Sequence, residues 1–163
     1  MEHLKPPQRL DDTGDLPKVF LAGSIEMGTA TDWQSTVAKA LRDLDIVVFN
    51  PRRDAWDASW PQRPDFAPFR EQVEWELEAQ ESADLIAFYF APDTRAPVTL
   101  LELGLAAGRK RTIVCCPEGY WRKGNVDVVC HRYHIPQAAD LAGLIALIRS
   151  EVTALSTANQ ERS

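Results

Sequence analysis

Cysteine is scarce, and its spacing fits neither a disulfide framework nor a metal site. The chain of 163 residues has three cysteines, an odd number, and two of them, Cys115 and Cys116, are adjacent. The sequence has no CxxC or HxxxH spacing, so we expect no zinc site. Unpaired cysteines are typical of a reducing compartment, and we therefore expect a cytoplasmic protein.

Positive charge and long apolar runs are also in short supply. Lys and Arg number 18 against 24 Asp and Glu, which gives a net charge of −6 and a pI near 5.1. This balance argues against a nucleic-acid polymer or an anionic membrane surface as the main partner. No apolar run approaches the ~18 residues of a membrane span, and residues 1–7 lack the apolar segment of a signal peptide.

The length and composition indicate one globular domain with a substantial core. Hydrophobic residues make up 45% of the chain and charged residues 26%. A chain of this length is too short for two well-built domains. We expect a flexible N-terminal arm over residues 1–17, a single α/β domain over 18–155, and a polar tail over 156–163.

Apolar patterning alternates between strands and helices along the chain. Strands are predicted at 19–22, 46–49, 85–90, 112–116 and, more weakly, 126–129. Helices are predicted at 31–44, 67–80, 97–108 and 138–154. This alternation predicts a four- to five-stranded parallel sheet in a flavodoxin-like or Rossmann-like three-layer sandwich. In such folds ligands bind beyond the carboxyl ends of the strands.

Glu102 breaks the local pattern most clearly. It is the only charged residue in the segment 98–107, which is apolar around nearly its whole circumference and is therefore expected to be largely buried. Burying an unpaired carboxylate is costly, so a functional carboxylate in a cleft is one interpretation. The helix dipole would favour its ionised form. The alternative is a side chain that reaches solvent or pairs with an arginine.

Glu76 is the second acid in an unexpected place. If Phe69, Val73 and Leu77 form the buried stripe of their helix, Glu76 falls inside that stripe at about 100° per residue. The other acids of this region fall outside the stripe, as a solvated face requires: Glu71, Glu74, Glu78 and Glu81. The alternative is that Glu76 lies at the edge of the stripe and reaches solvent.

Two inward carboxylates on neighbouring elements can cleave a glycosidic bond with retention. In that chemistry one carboxylate attacks the anomeric carbon, and the other handles the proton or orients the sugar. A glycosidic nucleophile must be an ionised, poorly solvated carboxylate, and Glu102 is the candidate for that role. Glu76 is the candidate for the second role.

The turn after the first predicted strand is a candidate for ligand binding. Backbone N–H groups of residues 23–28, which include Gly23 and Ser24, are candidates to bind a phosphate or a sugar hydroxyl. A plain strand-to-helix connection is the alternative. The spacing matches neither GxGxxG nor GxxxxGK[ST], and no other feature points to a cofactor, so none is expected.

The segment 50–57 (NPRRDAWD) combines planar hydrogen-bonding groups with an indole. After Asn50, the side chains of Arg52, Asp54 and Trp56 are suited to bond to and stack on a heterocyclic base. The alternative is that Arg52 or Arg53 forms an internal ion pair.

A family resemblance emerges from five segments that occur together and in order. They are residues 19–28 (VFLAGSIEMG), 50–57 (NPRRDAWD), 72–76 (QVEWE), 83–90 (ADLIAFYF) and 99–104 (TLLELG). With them the chain resembles the nucleoside 2-deoxyribosyltransferase-like family over roughly residues 18–150. The resemblance implies a flavodoxin-like fold and exchange of bases between 2'-deoxyribonucleosides, with a nucleoside or nucleotide and a free nucleobase as partners.

The resemblance also implies roles for particular residues. The Glu of the ELG motif, Glu102, corresponds to the nucleophile, and Glu76 corresponds to the carboxylate that contacts the sugar and assists proton transfer. Asn125 matches an Asn that reaches into a neighbouring subunit's site, which implies a homodimer or higher homo-oligomer with shared sites. Asp93 is the nearest match to a base-contacting acid, at a different spacing. Phe20 stands where many members carry a Tyr bonded to the nucleophile.

Two other functions are compatible with the same residues. A nucleoside or nucleotide N-glycosidase would use the same carboxylates with water as the acceptor. A non-catalytic nucleotide-binding sensor would use only the fold and its crevice.

Overall fold

The computed structural model describes residues 1–11, 13–25 and 30–160. Within these ranges the strands are β1 (Glu2–Leu4), β2 (Lys18–Gly23), β3 (Val47–Phe49), β4 (Leu85–Tyr89), β5 (Thr112–Cys115) and β6 (Gln137–Ala138). The helices are α1 (Trp33–Ala40), α2 (Ala67–Ser82), α3 (Pro97–Ala106), α4 (Lys123–Tyr133) and α5 (Leu141–Gln160). The predicted alternation of strands and helices is confirmed.

The described strands form one parallel sheet in the order β1-β3-β2-β4-β5-β6. Apart from the edge strand β1, this is the flavodoxin order. The order reverses between β2 and β4, where Val19 pairs with Leu85 and Gly23 with Tyr89. The crevice at the carboxyl ends of these two strands is where doubly wound sheets bind ligands.

Helices cover both faces of the sheet, which gives the three-layer sandwich that the sequence predicts. On one face α1 and α5 pack against alternate strand residues such as Leu21 and Ile113. On the other face α2, α3 and α4 pack against Phe20 and Phe88. Because the strands are covered on both sides, they read as continuous apolar runs rather than as alternating patterns.

The strand count and the two chain ends differ from the sequence prediction. The sheet has six strands rather than four or five. Two of the six were not predicted: β1, formed by residues 2–4 of the expected flexible arm with Leu4 buried, and the two-residue β6 (Gln137–Ala138). The segment 126–129 lies in α4 and not in a strand, because Val126 and Cys130 are spaced four apart and bury one helical face. Helix α5 extends to Gln160 and so includes most of the expected polar tail.

Helix α5 is long and apolar enough to satisfy a membrane-span criterion over Leu141–Ala158, with a mean hydropathy of 1.3. Its residues Leu144, Ile148 and Val152 are spaced four apart and pack into the core of the sandwich. Core helices of α/β proteins can be equally long and apolar, so the length and composition of α5 are weak evidence for a membrane span.

Helix α3 is less buried than its composition predicts. Thr99, Glu102, Leu103 and Ala106 are buried, but the opposite face is open. On that face Val98 is 59% exposed, Leu101 64% and Leu105 45%. An apolar helix face left in water is typical of a surface that contacts a partner.

Candidate active site

Helix α2 presents a mixed polar and apolar stripe to the core, rotated from the predicted one. The buried residues are Gln72, Trp75, Ala79 and Gln80, whereas Leu77 is 43% exposed. The prediction of a Phe69–Val73–Leu77 stripe is therefore wrong in its phase. Glu76 still lies on the inward side, because it is four residues from both Gln72 and Gln80.

Glu102 is held inside the protein by α3. Its side chain is 9% exposed, and it lies one turn from Thr99 and Ala106 on the buried face of the helix. Glu102 Oε1 accepts a hydrogen bond of 2.8 Å from Gln80 Nε2 of α2. Glu102 thus neither points into open water nor sits in an arginine clamp among the described residues.

Glu76 has a matching arrangement one turn earlier on α2. Glu76 Oε1 accepts a hydrogen bond of 2.8 Å from Gln72 Nε2. The same amide nitrogen donates to the carbonyl oxygen of Pro51, also at 2.8 Å. The loop after β3 therefore anchors Gln72, and Gln72 in turn orients Glu76.

Burial raises the pKa of both carboxyls. The pKa of Glu76 rises to about 7 because of desolvation, against the opposing effect of the Gln72 hydrogen bond. The pKa of Glu102 rises to about 8 because of desolvation and then the negative charge of Glu76, with the Gln80 bond opposing both. Desolvation is the largest effect on the pKa of Glu102, and it opposes the small gain that the helix dipole gives to the ionised form.

Gly23 and Ser24 lie at the crevice between β2 and β4 and have structural partners. A Cβ atom on Gly23 would lie 2.4 Å from the carbonyl oxygen of Tyr89 and 2.6 Å from the Trp33 ring. The Ser24 backbone N–H donates to that Tyr89 oxygen at 3.1 Å, so it is not free to bind a phosphate. The remainder of the predicted ligand-binding turn, Glu26 to Gly28, lies outside the described residues.

Asn50 and Arg52 join the loops beside β3. The Asn50 side chain is fully buried; its Oδ1 accepts from the Arg52 backbone N–H at 3.0 Å, and its Nδ2 lies 3.1 Å from His3 Nε2. One guanidinium nitrogen of Arg52 donates to the Ala30 carbonyl oxygen at 2.9 Å. The alternative of an internal ion pair is realised by both arginines: Arg52 Nε lies 3.9 Å from Asp32 Oδ1, and Arg53 bonds to Glu71 at 2.8 Å.

Asp54 and Trp56 have different surroundings, the first exposed to solvent and the second partly buried. Asp54 is exposed and pairs with Lys5 at 2.7 Å, so it faces solvent. The Trp56 ring packs 5.2 Å from that of Trp60. Trp56 Nε1 is buried, and no described residue accepts a hydrogen bond from it. A buried N–H without an acceptor is a natural contact for a ligand.

Asp93 and Asn125 lie on loops and helix ends beyond the carboxyl ends of β4 and β5. Asp93 is exposed with a positive φ of 60°, and its backbone N–H donates to the Gly119 carbonyl oxygen at 3.3 Å. Asn125 is exposed in the first turn of α4. Neither side chain contacts the carboxyl pair within one copy of the described chain.

The sequence reasoning missed Gln72 and Gln80. Both are buried and each donates to one of the two carboxyls. The signal was present: Gln72, Glu76 and Gln80 are polar residues spaced four apart, so they share one face of α2. An all-polar row on a helix that must cover a sheet indicates a polar site beneath it.

A groove of about 730 Å³ lies on another side of α2. Its lining includes Arg53, Trp60 and Glu71 but neither Glu76 nor Glu102. Its arginines form ion pairs with acids of the groove itself, as Arg53 does with Glu71. The groove therefore lacks the buried carboxyl pair, and the candidate active site lies instead between α2 and α3.

Comparisons with known proteins agree with this geometry at the level of family and fold. Residues 16–120, more than half of the chain, match the family model described as nucleoside 2-deoxyribosyltransferase like. Among solved structures, the chain is similar to a conserved protein from Enterococcus faecalis V583. The TM-score is 0.50 at 15% identity over 87% of this chain and 98% of that chain, a likeness in fold alone. None of the curated proteins matches the sequence.

Proposed function

The chain belongs to the nucleoside 2-deoxyribosyltransferase-like family, and from that premise we propose that it transfers 2-deoxyribose between nucleobases. The proposed reaction cleaves the N-glycosidic bond of a 2'-deoxynucleoside through a covalent glycosyl intermediate on Glu102. The observation that carries this proposal is the pair of buried carboxyls on α2 and α3, neither of which has a cationic partner among the described residues.

The proposed chemistry proceeds in two displacements at C1' of the sugar. A Glu102 oxygen attacks C1', the bond from C1' to the base nitrogen breaks, and the bonding electrons leave with the base. The leaving base takes a proton from the carboxyl pair. In the second step a nitrogen of another base attacks C1' and the ester bond breaks. The incoming base gives its N–H proton back to the carboxyl pair, and Glu102 is regenerated as a carboxylate.

The protonation of the pair suits this chemistry. Between the two pKa values of about 7 and about 8, the pair carries one negative charge and one proton. The reaction needs one anionic nucleophile and one proton for the departing base, and the pair holds one of each. Because Glu76 has the lower pKa, it carries most of the charge in the free protein, so the proposed reaction requires the proton to pass from Glu102 to Glu76 as substrate binds. Glu76, held by Gln72, is proposed to deliver that proton and to contact the sugar.

The residues around the crevice are proposed to bind substrate in two ways. Trp56 would bind directly, because its buried Nε1 has no acceptor among the described residues. Gly23, Ser24, Asn50 and Arg52 would shape the crevice through their internal hydrogen bonds. Direct base contacts by Asp54 and Asp93, both exposed, stay predictions.

We also propose that the protein acts as a homodimer or larger homo-oligomer in the cytoplasm. The open apolar face of α3, with Val98, Leu101 and Leu105, lies on the same helix as Glu102. Val128 of α4 is 70% exposed, one turn from Asn125. A second copy of the chain bound to α3 and α4 would cover the apolar face of α3 and the side chain of Val128. The same arrangement would bring Asn125 of one subunit toward the site of the other.

The test is incubation with a deoxynucleoside and a different free base, followed by chromatography of all products. Transfer gives the exchanged deoxynucleoside; Glu102→Gln is the control and should give none. Free base and free sugar without exchange would replace the proposal with an N-glycosidase. An unchanged substrate that nevertheless binds would replace it with a nucleotide-binding sensor.

A further inference from the structure

The buried Glu102 carboxyl has one hydrogen-bond donor among the described residues. Gln80 Nε2 donates to Oε1 at 2.8 Å, and Oε2 accepts no bond from the residues that the structure describes. Gln80 is itself buried, at 7% exposure, so solvent does not compete for its amide. The two oxygens of the carboxyl are therefore distinct: Oε1 is held by Gln80, and Oε2 accepts no hydrogen bond from a described residue.

The hydrogen bond from Gln80 matters for the ionisation of Glu102 because of what surrounds this carboxyl. Helix α3 packs over an apolar core, which includes Phe20 and Phe88 of the strands and Leu103 of the helix itself. The charged group that acts on Glu102 is Glu76, whose effect opposes ionisation. Within the described chain, Gln80 is the group that stabilises the anion against both burial and this repulsion.

The same helix supplies a matched pair of amides. Gln72 donates to Glu76 and Gln80 donates to Glu102, both at 2.8 Å and both from α2. Gln72 is the better anchored of the two, because its Nε2 also bonds to Pro51. This repetition provides an internal control, since the two glutamines have the same chemistry and different carboxyl partners.

We infer that Gln80 is a positioning residue for Glu102: its amide holds Oε1 and leaves Oε2 as the oxygen that attacks C1'. The attack itself rests on the proposed function, whereas the hold on Glu102 does not. A carboxyl with one oxygen tethered loses rotational freedom, so the remaining oxygen stays aimed without reorganisation at each turnover. Gln80 itself touches no substrate.

The first measurement requires no substrate. The side-chain carboxyl carbon of Glu102 is followed by ¹³C NMR against pH, and its signal is assigned by its loss in Glu102→Gln. Gln80→Met keeps the length of the side chain and removes the donor, so the midpoint of Glu102 should rise by roughly one pH unit. Gln72→Met should not raise it, because that variant keeps Glu76 protonated to higher pH and so reduces the repulsion.

The second measurement is the pH profile of kcat. It follows the reaction that the wild type catalyses, either transfer or hydrolysis. Gln80→Met should lower kcat roughly tenfold near pH 7, where fewer Glu102 side chains are ionised, and approach the wild-type rate above the shifted midpoint. KM should change little. A kcat reduced equally at every pH would assign Gln80 a merely structural role.

The outcomes separate the two proposals. An unshifted Glu102 midpoint in Gln80→Met overturns the positioning role, whatever the activity. A shifted midpoint in a protein that neither transfers nor hydrolyses supports the hold on Glu102 and contradicts the proposed function. If Gln80→Met does not fold, Gln80→Lys replaces it: its ammonium should lower the midpoint, and a midpoint that stays or rises overturns the inference.

Discussion

The side chain of Glu76 lies close enough to that of Glu102 for its negative charge to raise the pKa of the Glu102 carboxyl. The two acids come from different helices, and neither pairs with a cation among the residues described. Two like charges in one buried place destabilise the folded state, and such strain is characteristic of a site kept for chemistry rather than for stability.

The stability of the protein should therefore fall as pH rises through the range of these two groups. Both folded-state pKa values lie above the ordinary value of 4.5, so the unfolded chain releases these protons first. Glu102→Gln removes one ionisation and should raise the free energy of unfolding by ~2–4 kcal/mol near pH 8.5. Near pH 4 the difference should vanish.

Chemical denaturation at both pH values checks this expectation. Glu81→Gln, an exposed acid at the end of the same helix α2, is the matched control and should change stability little at either pH. A Glu102→Gln protein with no gain at alkaline pH would mean that the carboxyl is solvated.

Glu76 should contribute to catalysis without being indispensable. Glu76→Ala should reduce turnover by ~10²–10⁴, the usual range for assistance by a general acid or base. Glu78→Ala removes an exposed acid of the same helix and should leave the rate unchanged. Steady-state kinetics on the three proteins checks this, and equal rates for all three would return Glu76 to a structural role.

Two glycines should respond to alanine in opposite directions. Gly23→Ala places a methyl group 2.4 Å from the Tyr89 carbonyl oxygen, which is backbone and cannot yield, so it should destabilise by at least about 2 kcal/mol. Gly104→Ala, within α3, meets nothing within 4 Å and should stabilise by ~0.5–1 kcal/mol. Thermal unfolding measures both; a tolerated Gly23→Ala would show that the crevice between β2 and β4 is looser than these distances require.

The assembly should depend on the open face of α3. Leu101→Glu places a charge at the most exposed of its three apolar residues and should give a monomer by light scattering. Leu16→Glu, an exposed leucine outside the helices, is the control and should keep the wild-type mass. A wild-type chain that is itself a monomer at micromolar concentration would contradict the proposed assembly.

Much of the architecture could be predicted because buried parallel strands and long helices carry strong patterns. The first half of helix α4 has the pattern of a strand because Val126, Val128 and Val129 have high strand propensity, although the buried spacing of Val126 and Cys130 is helical. Strand β1 was missed because it has three residues, and it is stabilised by pairing with β3 rather than by its own pattern.

A site residue could be predicted where its polarity contrasts with that of its sequence neighbours, and not where its neighbours are equally polar. Glu102 stands alone among apolar residues, so its burial could be inferred from sequence. Gln72 and Gln80 are unremarkable residues in a polar helix, and only the contacts across to Glu76 and Glu102 distinguish them. The sequence predicts that the apolar face of α3 is buried, because sequence alone does not distinguish a core face from an exposed apolar face.

Intact-mass spectrometry of the acid-quenched protein after incubation with a deoxynucleoside tests the proposed intermediate most directly. The wild type should gain the mass of one deoxyribosyl group, and peptide mapping should place it on Glu102; Glu102→Gln should gain none. Base exchange in the absence of any such adduct, or an adduct that maps to another residue, would contradict the assignment of Glu102 as the nucleophile.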